Sequence, residues 1–146
     1  MQVDFYHVGA GGVEAVLPRI AERVLDGGGR LLVVAEDEAL AARLDERLWD
    51  WSPESFLAHG RAGQGDEARQ PILIAEACEP ANGARAVALA DGVWRDAALA
   101  FDRAFLLFGD DRLEASRAAW RTLAAQDSVE RRFWKQDERG RWTQAG

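Results

Sequence analysis

One cysteine, Cys78, stands alone among 146 residues. A lone thiol excludes a disulfide framework within the chain and a cysteine-based zinc site. It follows a short expected strand among acids that oppose thiolate formation, so it reads as a packed thiol and not a nucleophile. Histidine is scarce too. His7 ends an expected strand, His59 lies in an expected loop, and the two make no metal-ligand pattern. No apolar run is long enough to cross a membrane, and the N-terminus lacks a signal-peptide pattern, so a cytoplasmic location is expected. Positive charge is in deficit: the net charge of −7 argues against direct, non-specific binding to DNA. Nowhere does the chain assemble an acid, a base and a nucleophile, and neither a cofactor nor a metal is expected.

What is present is a balanced composition, 48% hydrophobic and 29% charged, as in a soluble globular protein. Without an internal repeat or a linker, residues 1–146 read as a single domain. The charge is unevenly placed. Residues 112–146 hold eight Arg or Lys against five Asp or Glu, whereas residues 1–111 hold ten against twenty. A basic island on an acidic body suits a local site for an acidic partner.

Apolar periodicity predicts strands over 2–8, 31–35, 72–75, 86–90 and 104–108. Helices are expected over 13–25 and 37–49, with Asp37 a plausible N-cap, and over 112–126. Pro18 falls inside the first and predicts that it begins near Leu17. Residues 51–68 read as a long loop, and 94–101 as one or two helical turns. After residue 127 either a small hairpin around 137–140 or an extended tail fits the pattern. Strands alternating with helices, several strands being continuously apolar, predict an α/β fold: a Rossmann-like three-layer sandwich with a mainly parallel sheet and no bound nucleotide.

Three stretches could carry function. The glycine turn Gly9, Gly11 and Gly12 between the first strand and helix, with Glu36 after the second strand, has the layout of a nucleotide or S-adenosylmethionine site. G-x-G-x-x-G would need glycine where Glu14 stands, and no GK[ST] follows. In the helix 112–126, Arg117 and Arg121 lie four residues apart with Trp120 between, so all three share a face. Such a face suits an acidic, partly apolar ligand, since guanidinium forks grip carboxylates and a ring beside them packs apolar groups. A core helix that buries Trp120 and solvates its arginines fits the same pattern. A stacking platform for single strands conflicts with the overall charge. The third stretch, LWDWSPESFLAHG, gathers Trp49, Trp51 and Phe56 at a helix end, as core staples or as a protein-binding patch.

Six segments in register, FYHV, LDERLWDWSPESFLAHG, QPILIAEACEPANGARAVAL, FDRAFLLFGDD, SRAAWRTL and FWKQDERGRW, resemble the chi subunit of the bacterial DNA polymerase III holoenzyme. The resemblance covers nearly the whole chain. It implies a non-enzymatic adaptor with an α/β fold like that of nucleotide-binding domains. Chi proteins bind the acidic C-terminal tail of single-stranded-DNA-binding protein, which ends in Pro-Phe, and meet DNA only indirectly. By this resemblance Arg117 and Arg121 grip the Phe α-carboxylate and the tail aspartates, and Trp120 walls the Phe ring. Trp49 and Phe56 become a second patch facing a partner: the psi subunit, which tethers chi to the clamp loader, or a helicase. The sequence departs from the family pattern in three places. Leu113 stands where a further basic residue is common, with Arg112 beside it as a substitute. Ala58 replaces a proline before His59. A long tail with Lys135, Arg139 and Trp142 resembles chi proteins of lineages without an evident psi, which implies direct contact with the clamp loader.

Overall fold

The computed structural model describes residues 1–52 and 56–146. Eight strands form one sheet: β1 (Gln2–His7), β2 (Leu31–Val34), β3 (His59–Arg61), β4 (Ile72–Ala75), β5 (Ala86–Leu89), β6 (Arg103–Phe108), β7 (Glu130–Gln136) and β8 (Trp142–Gln144). Their spatial order is β3-β4-β2-β5-β6-β1-β7-β8. Every pairing is parallel except the antiparallel β7–β8 hairpin at one edge.

Strand alternation sorts the side chains between two cores. Leu31 and Val33 enter a cluster with Leu17 and Ile20 of helix α1 (Gly12–Asp26) and Leu44 and Leu48 of helix α2 (Glu38–Trp49). Leu32 and Val34 enter another with Ala119 and Leu123 of helix α3 (Leu113–Leu123). Both faces of the central strands are covered, which is why β2 reads as an unbroken apolar run with all four residues buried. The architecture is therefore α/β, with two helices over one face of a mostly parallel sheet and α3 over the other.

Most expected elements are present within a residue or two, and Asp37 caps α2 by accepting from the Ala39 N–H at 3.0 Å. Two readings need correction. First, α1 starts at Gly12 and carries Pro18 inside it. Pro18 is buried along with Leu17 and Ile20, so the ring's packing offsets the lost backbone hydrogen bond. Second, the stretch 51–68 is not all loop: His59–Arg61 is an edge strand paired with β4. Its sequence, HGR, has no β-branched or apolar residue to announce it, and residues 53–55 of that stretch lie outside the described residues. The one or two helical turns expected over 94–101 are present as a 3-10 helix, Asp96–Ala100. Of the two C-terminal alternatives the hairpin is present, and the start of its first strand, β7, is hidden under Glu130, Arg131 and Arg132.

Candidate functional site

Two acids, Asp110 and Asp111, lie in a 3-10 turn that leads into α3, where negative charge favours the helix dipole. The helix places Ala119 and Leu123 inward, leaves Arg117 and Arg121 exposed, and half-buries Trp120. The indole has a rigid aromatic footing. It meets Phe5 edge-on at 5.3 Å between centroids and Phe133 edge-on at 5.6 Å, and those two phenyl rings stack on each other at 5.8 Å. Arg131, on β7, covers it with its guanidinium carbon 4.1 Å from the ring centroid. The same guanidinium donates to the Trp120 carbonyl at 2.6 Å. That carbonyl needs a donor because the Ala124 N–H turns to Arg121 O.

Arg117, Trp120, Phe133, Ala145 and Gly146 line a cleft of about 260 Å³. Its outer wall is tied to β7 by two hydrogen bonds, Ala145 N–H to Phe133 O at 2.7 Å and Phe133 N–H to Gly146 O at 3.0 Å. Arg117 sits at the rim with only a long contact, 3.4 Å, to exposed Glu114. Among the described residues the Trp120 indole N–H has no acceptor and the Arg121 side chain has no ion pair or hydrogen bond. The fold thus brings Arg117 and Trp120 into one cleft. Arg121 is one helical turn from Arg117 but is not part of the lining. Leu113 packs into the core on the α3 face. Arg112 lies elsewhere, close over Gly92 and in a separate cleft with Asp91 and Asp111, so it does not supply the missing base. The residue that sequence reasoning missed is Arg131. Its signal was period two: Arg131 and Phe133 alternate onto the α3 face of β7.

A profile of the family described as DNA polymerase III chi subunit, HolC, matches residues 1–129. The chain belongs to that family. Chi is by name a subunit of DNA polymerase III. Three relatives carry the name DNA polymerase III subunit chi. That of Escherichia coli is 42% identical over 67 residues, 46% of either chain. That of Haemophilus influenzae is 34% identical over 62 residues, 42% of this chain and 43% of the relative. That of Pseudomonas aeruginosa is 32% identical over 84 residues, 56% of this chain and 58% of the relative. The chain spans about half the length of the curated relatives it matches.

The other candidate residues of this chi-family chain lie apart from the cleft. Trp49 ends α2 at the β3 side of the sheet, with Phe56 beside it at 5.8 Å between ring centroids. They are the two large exposed apolar side chains among the described residues, at 58% and 72%. Trp49 rests on His59, which is held by the Leu57 carbonyl at 2.8 Å and Asp45 at 2.7 Å. His7 meets Asp110 at 2.6 Å, and among the described residues no cluster of three His, Cys, Asp or Glu could hold a metal. Among the described residues no helix is long and apolar enough to cross a membrane.

The glycine turn has the wrong chemistry for phosphate. The Gly9 N–H donates to Gln136 Oε1 at 2.9 Å. Glu14 folds over Gly12 (φ +70°), whose added Cβ would lie 2.7 Å from Glu14 Oε2. Burial pushes the Glu14 carboxyl up, but the Arg43 guanidinium at 2.7 Å and its own backbone N–H outweigh this and hold it below the usual carboxylate range. A fixed negative charge therefore occupies the helix start where a phosphate would sit. The adjoining cleft adds Asp110, Asp111, Asp137 and Glu138. Glu36 faces Arg95 at 3.3 Å. Burial raises the Cys78 thiol above its ordinary value, which disfavours the nucleophilic thiolate.

Proposed function

We propose that this chain is a replisome adaptor without a catalytic step of its own, acting in the cytoplasm. It binds the acidic C-terminal tail of single-stranded-DNA-binding protein and links it to the DNA polymerase III clamp loader. The observation that carries this reading is the cleft on α3: an indole on a rigid aromatic footing, with its N–H open and cations at its rim and on its face. At about 260 Å³ it is small for drug-sized ligands, which take roughly 300–1,000 Å³. One aromatic side chain and its carboxylate are a better match. The terminal Phe ring packs against Trp120, Arg117 holds the α-carboxylate, and Arg121 on the next turn meets the tail aspartates outside the cleft. Attraction between an acidic tail and this basic quarter of an acidic body weakens with salt.

Trp49 and Phe56 form the second partner patch, at the β3 side of the sheet, for a psi subunit or the clamp loader itself. Their exposure together supports that role, since a contiguous apolar pair on the surface marks a contact site. We further infer kinship with Rossmann-like folds in layer architecture, helices covering both faces of a mostly parallel sheet. The strand order differs from the doubly wound 3-2-1-4-5-6, because β1 lies between β6 and β7.

The test is calorimetric titration with an acidic peptide ending in Pro-Phe. Arg117→Ala and Arg121→Ala are each expected to weaken binding by about 1–3 kcal/mol, the range for a hydrogen bond to a charged group. Amidating the peptide's C-terminus removes most of the Arg117 effect. Unchanged affinity in both variants removes α3 as the tail site.

A further inference from the structure

The face of the sheet opposite α3 carries a second basic, aromatic cleft. It lies between α1 and the β7–β8 hairpin and has a volume of about 520 Å³, twice that of the α3 cleft. Arg19 and Arg23, four apart on α1, line one side, with Arg139 from the hairpin turn. Tyr6, Trp134 and Trp142 supply the rings, Trp142 standing edge-on to Tyr6 at 5.1 Å. None of the three guanidinium groups has an ion pair or a side-chain hydrogen bond among the described residues. Arg19 has only a distant ring contact, 5.8 Å over Trp51. Among the described residues no acid lines the cleft. The nearest buried acid on this face, Asp4, is already taken by Arg103 at 2.9 Å and by the Trp134 indole N–H at 3.4 Å.

Unpaired guanidinium groups beside indole and phenol rings are the composition of binding hot spots. We infer that this cleft is a docking site for a second acidic polypeptide segment, one that carries an apolar side chain among its carboxylates. Three cations and no acid give the charge complementarity, and the three rings provide the apolar seat. A nucleotide fits less well. Gln136, the amide that could read a base edge, is engaged at both ends, by the Gly9 N–H and by the Gly140 carbonyl.

β7 serves both clefts, because consecutive strand residues point to opposite faces. Phe133 lines the α3 cleft and Trp134 lines this one. The protein can therefore hold two acidic segments back to back across one strand.

The site is tested on the whole chain by following the indole N–H signals in proton–nitrogen spectra, assigned through single Trp→Phe variants. The probe is the synthetic peptide acetyl-Asp-Glu-Phe-Asp-Glu-Asp-amide, whose amidated end offers no α-carboxylate to Arg117. The expected result is a saturable shift of the Trp134 and Trp142 signals with Trp120 unmoved. Arg19→Ala/Arg23→Ala, changing two exposed side chains, is expected to weaken binding by about tenfold or more, as for the loss of charge-assisted contacts. The inference is overturned by still indole signals up to millimolar peptide, or by equal binding to the double variant. It is equally overturned if oligothymidylate moves Trp134 and Trp142 where the peptide does not. Because Trp120 reports separately, failure here leaves the α3 reading standing, and failure at α3 leaves this one.

Discussion

Trp120 and Trp49 end up in opposite physical situations. Trp120 is wedged against Phe5 and Phe133 and covered by a guanidinium. Trp49 stands 58% exposed beside the still more exposed Phe56, with a histidine beneath it and, among the described residues, no cation over it. An indole built into a core and topped by a cation is preorganised, so little rotamer entropy remains to be lost when an anionic, aromatic group docks. An exposed ring pair is free to meet an apolar surface, and it contributes little to the fold that displays it. The contrast predicts that stability and binding separate differently in the two regions. Mutations around Trp120 disturb both. Mutations at Trp49 and Phe56 disturb binding alone.

The largest effect is expected at Phe5, the fully buried ring under Trp120. Phe5→Ala removes the floor of the indole and the stacking partner of Phe133, and costs about 3–5 kcal/mol, as for other buried Phe truncations. Denaturant unfolding measures it. In native protein the same change loosens Trp120, and tail-peptide affinity falls with stability. A loss below about 1 kcal/mol would mean that the aromatic stack is not what holds the indole, and the contrast with Trp49 would collapse.

Arg131→Ala comes next. Arg131 both covers the indole and hydrogen-bonds the Trp120 carbonyl near the end of α3, so its removal loses a cation–π contact and a cap at once. Roughly 1–2 kcal/mol of unfolding stability is expected to go, with a parallel loss of peptide affinity by calorimetry. Arg131→Lys keeps the charge but loses the planar fork, and is expected to recover binding only in part. Full recovery would show that charge alone matters at that face.

How much of this contrast the chain discloses on reading depends on the kind of signal. The strands at Leu31–Val34 and Arg103–Phe108 announce themselves because both of their faces are buried, and that leaves unbroken apolar runs. β3 and the first half of β7 do not: β3 is an edge strand and β8 pairs only with Trp134–Gln136 of β7, so backbone pairing on one side holds residues such as Gly60, Glu130 and Arg132 without an apolar pattern. At the site, Arg117 and Trp120 are legible from helical spacing, a local rule. Arg131 and the Ala145–Gly146 wall come to Trp120 through the pairing of β7 with β1, a contact that no local periodicity encodes. The basic island in the last quarter of the chain splits between the two faces of the sheet, Arg131 on one and Arg139 on the other, and charge counting cannot resolve that division.

The smallest effect on the fold is expected where the rings are most exposed. Trp49→Ala with Phe56→Ala removes the two large exposed apolar side chains among the described residues. Neither is a buried packing element, so thermal or denaturant unfolding is expected to change by no more than about 0.5–1 kcal/mol. The residual cost comes from the Trp49 contact with His59 at 4.7 Å. Binding to the purified clamp loader, followed by surface plasmon resonance, is expected to drop by about tenfold or more, because exposed aromatics at an interface centre act as hot spots. Tail-peptide affinity stays as it was, since Trp120 and Arg117 belong to the opposite side of the sheet order. If the double variant instead unfolds about 2 kcal/mol more easily, the pair is a structural staple despite its exposure. If stability and clamp-loader binding are both unchanged, the patch faces some other partner, and the division of labour between the two regions must be redrawn.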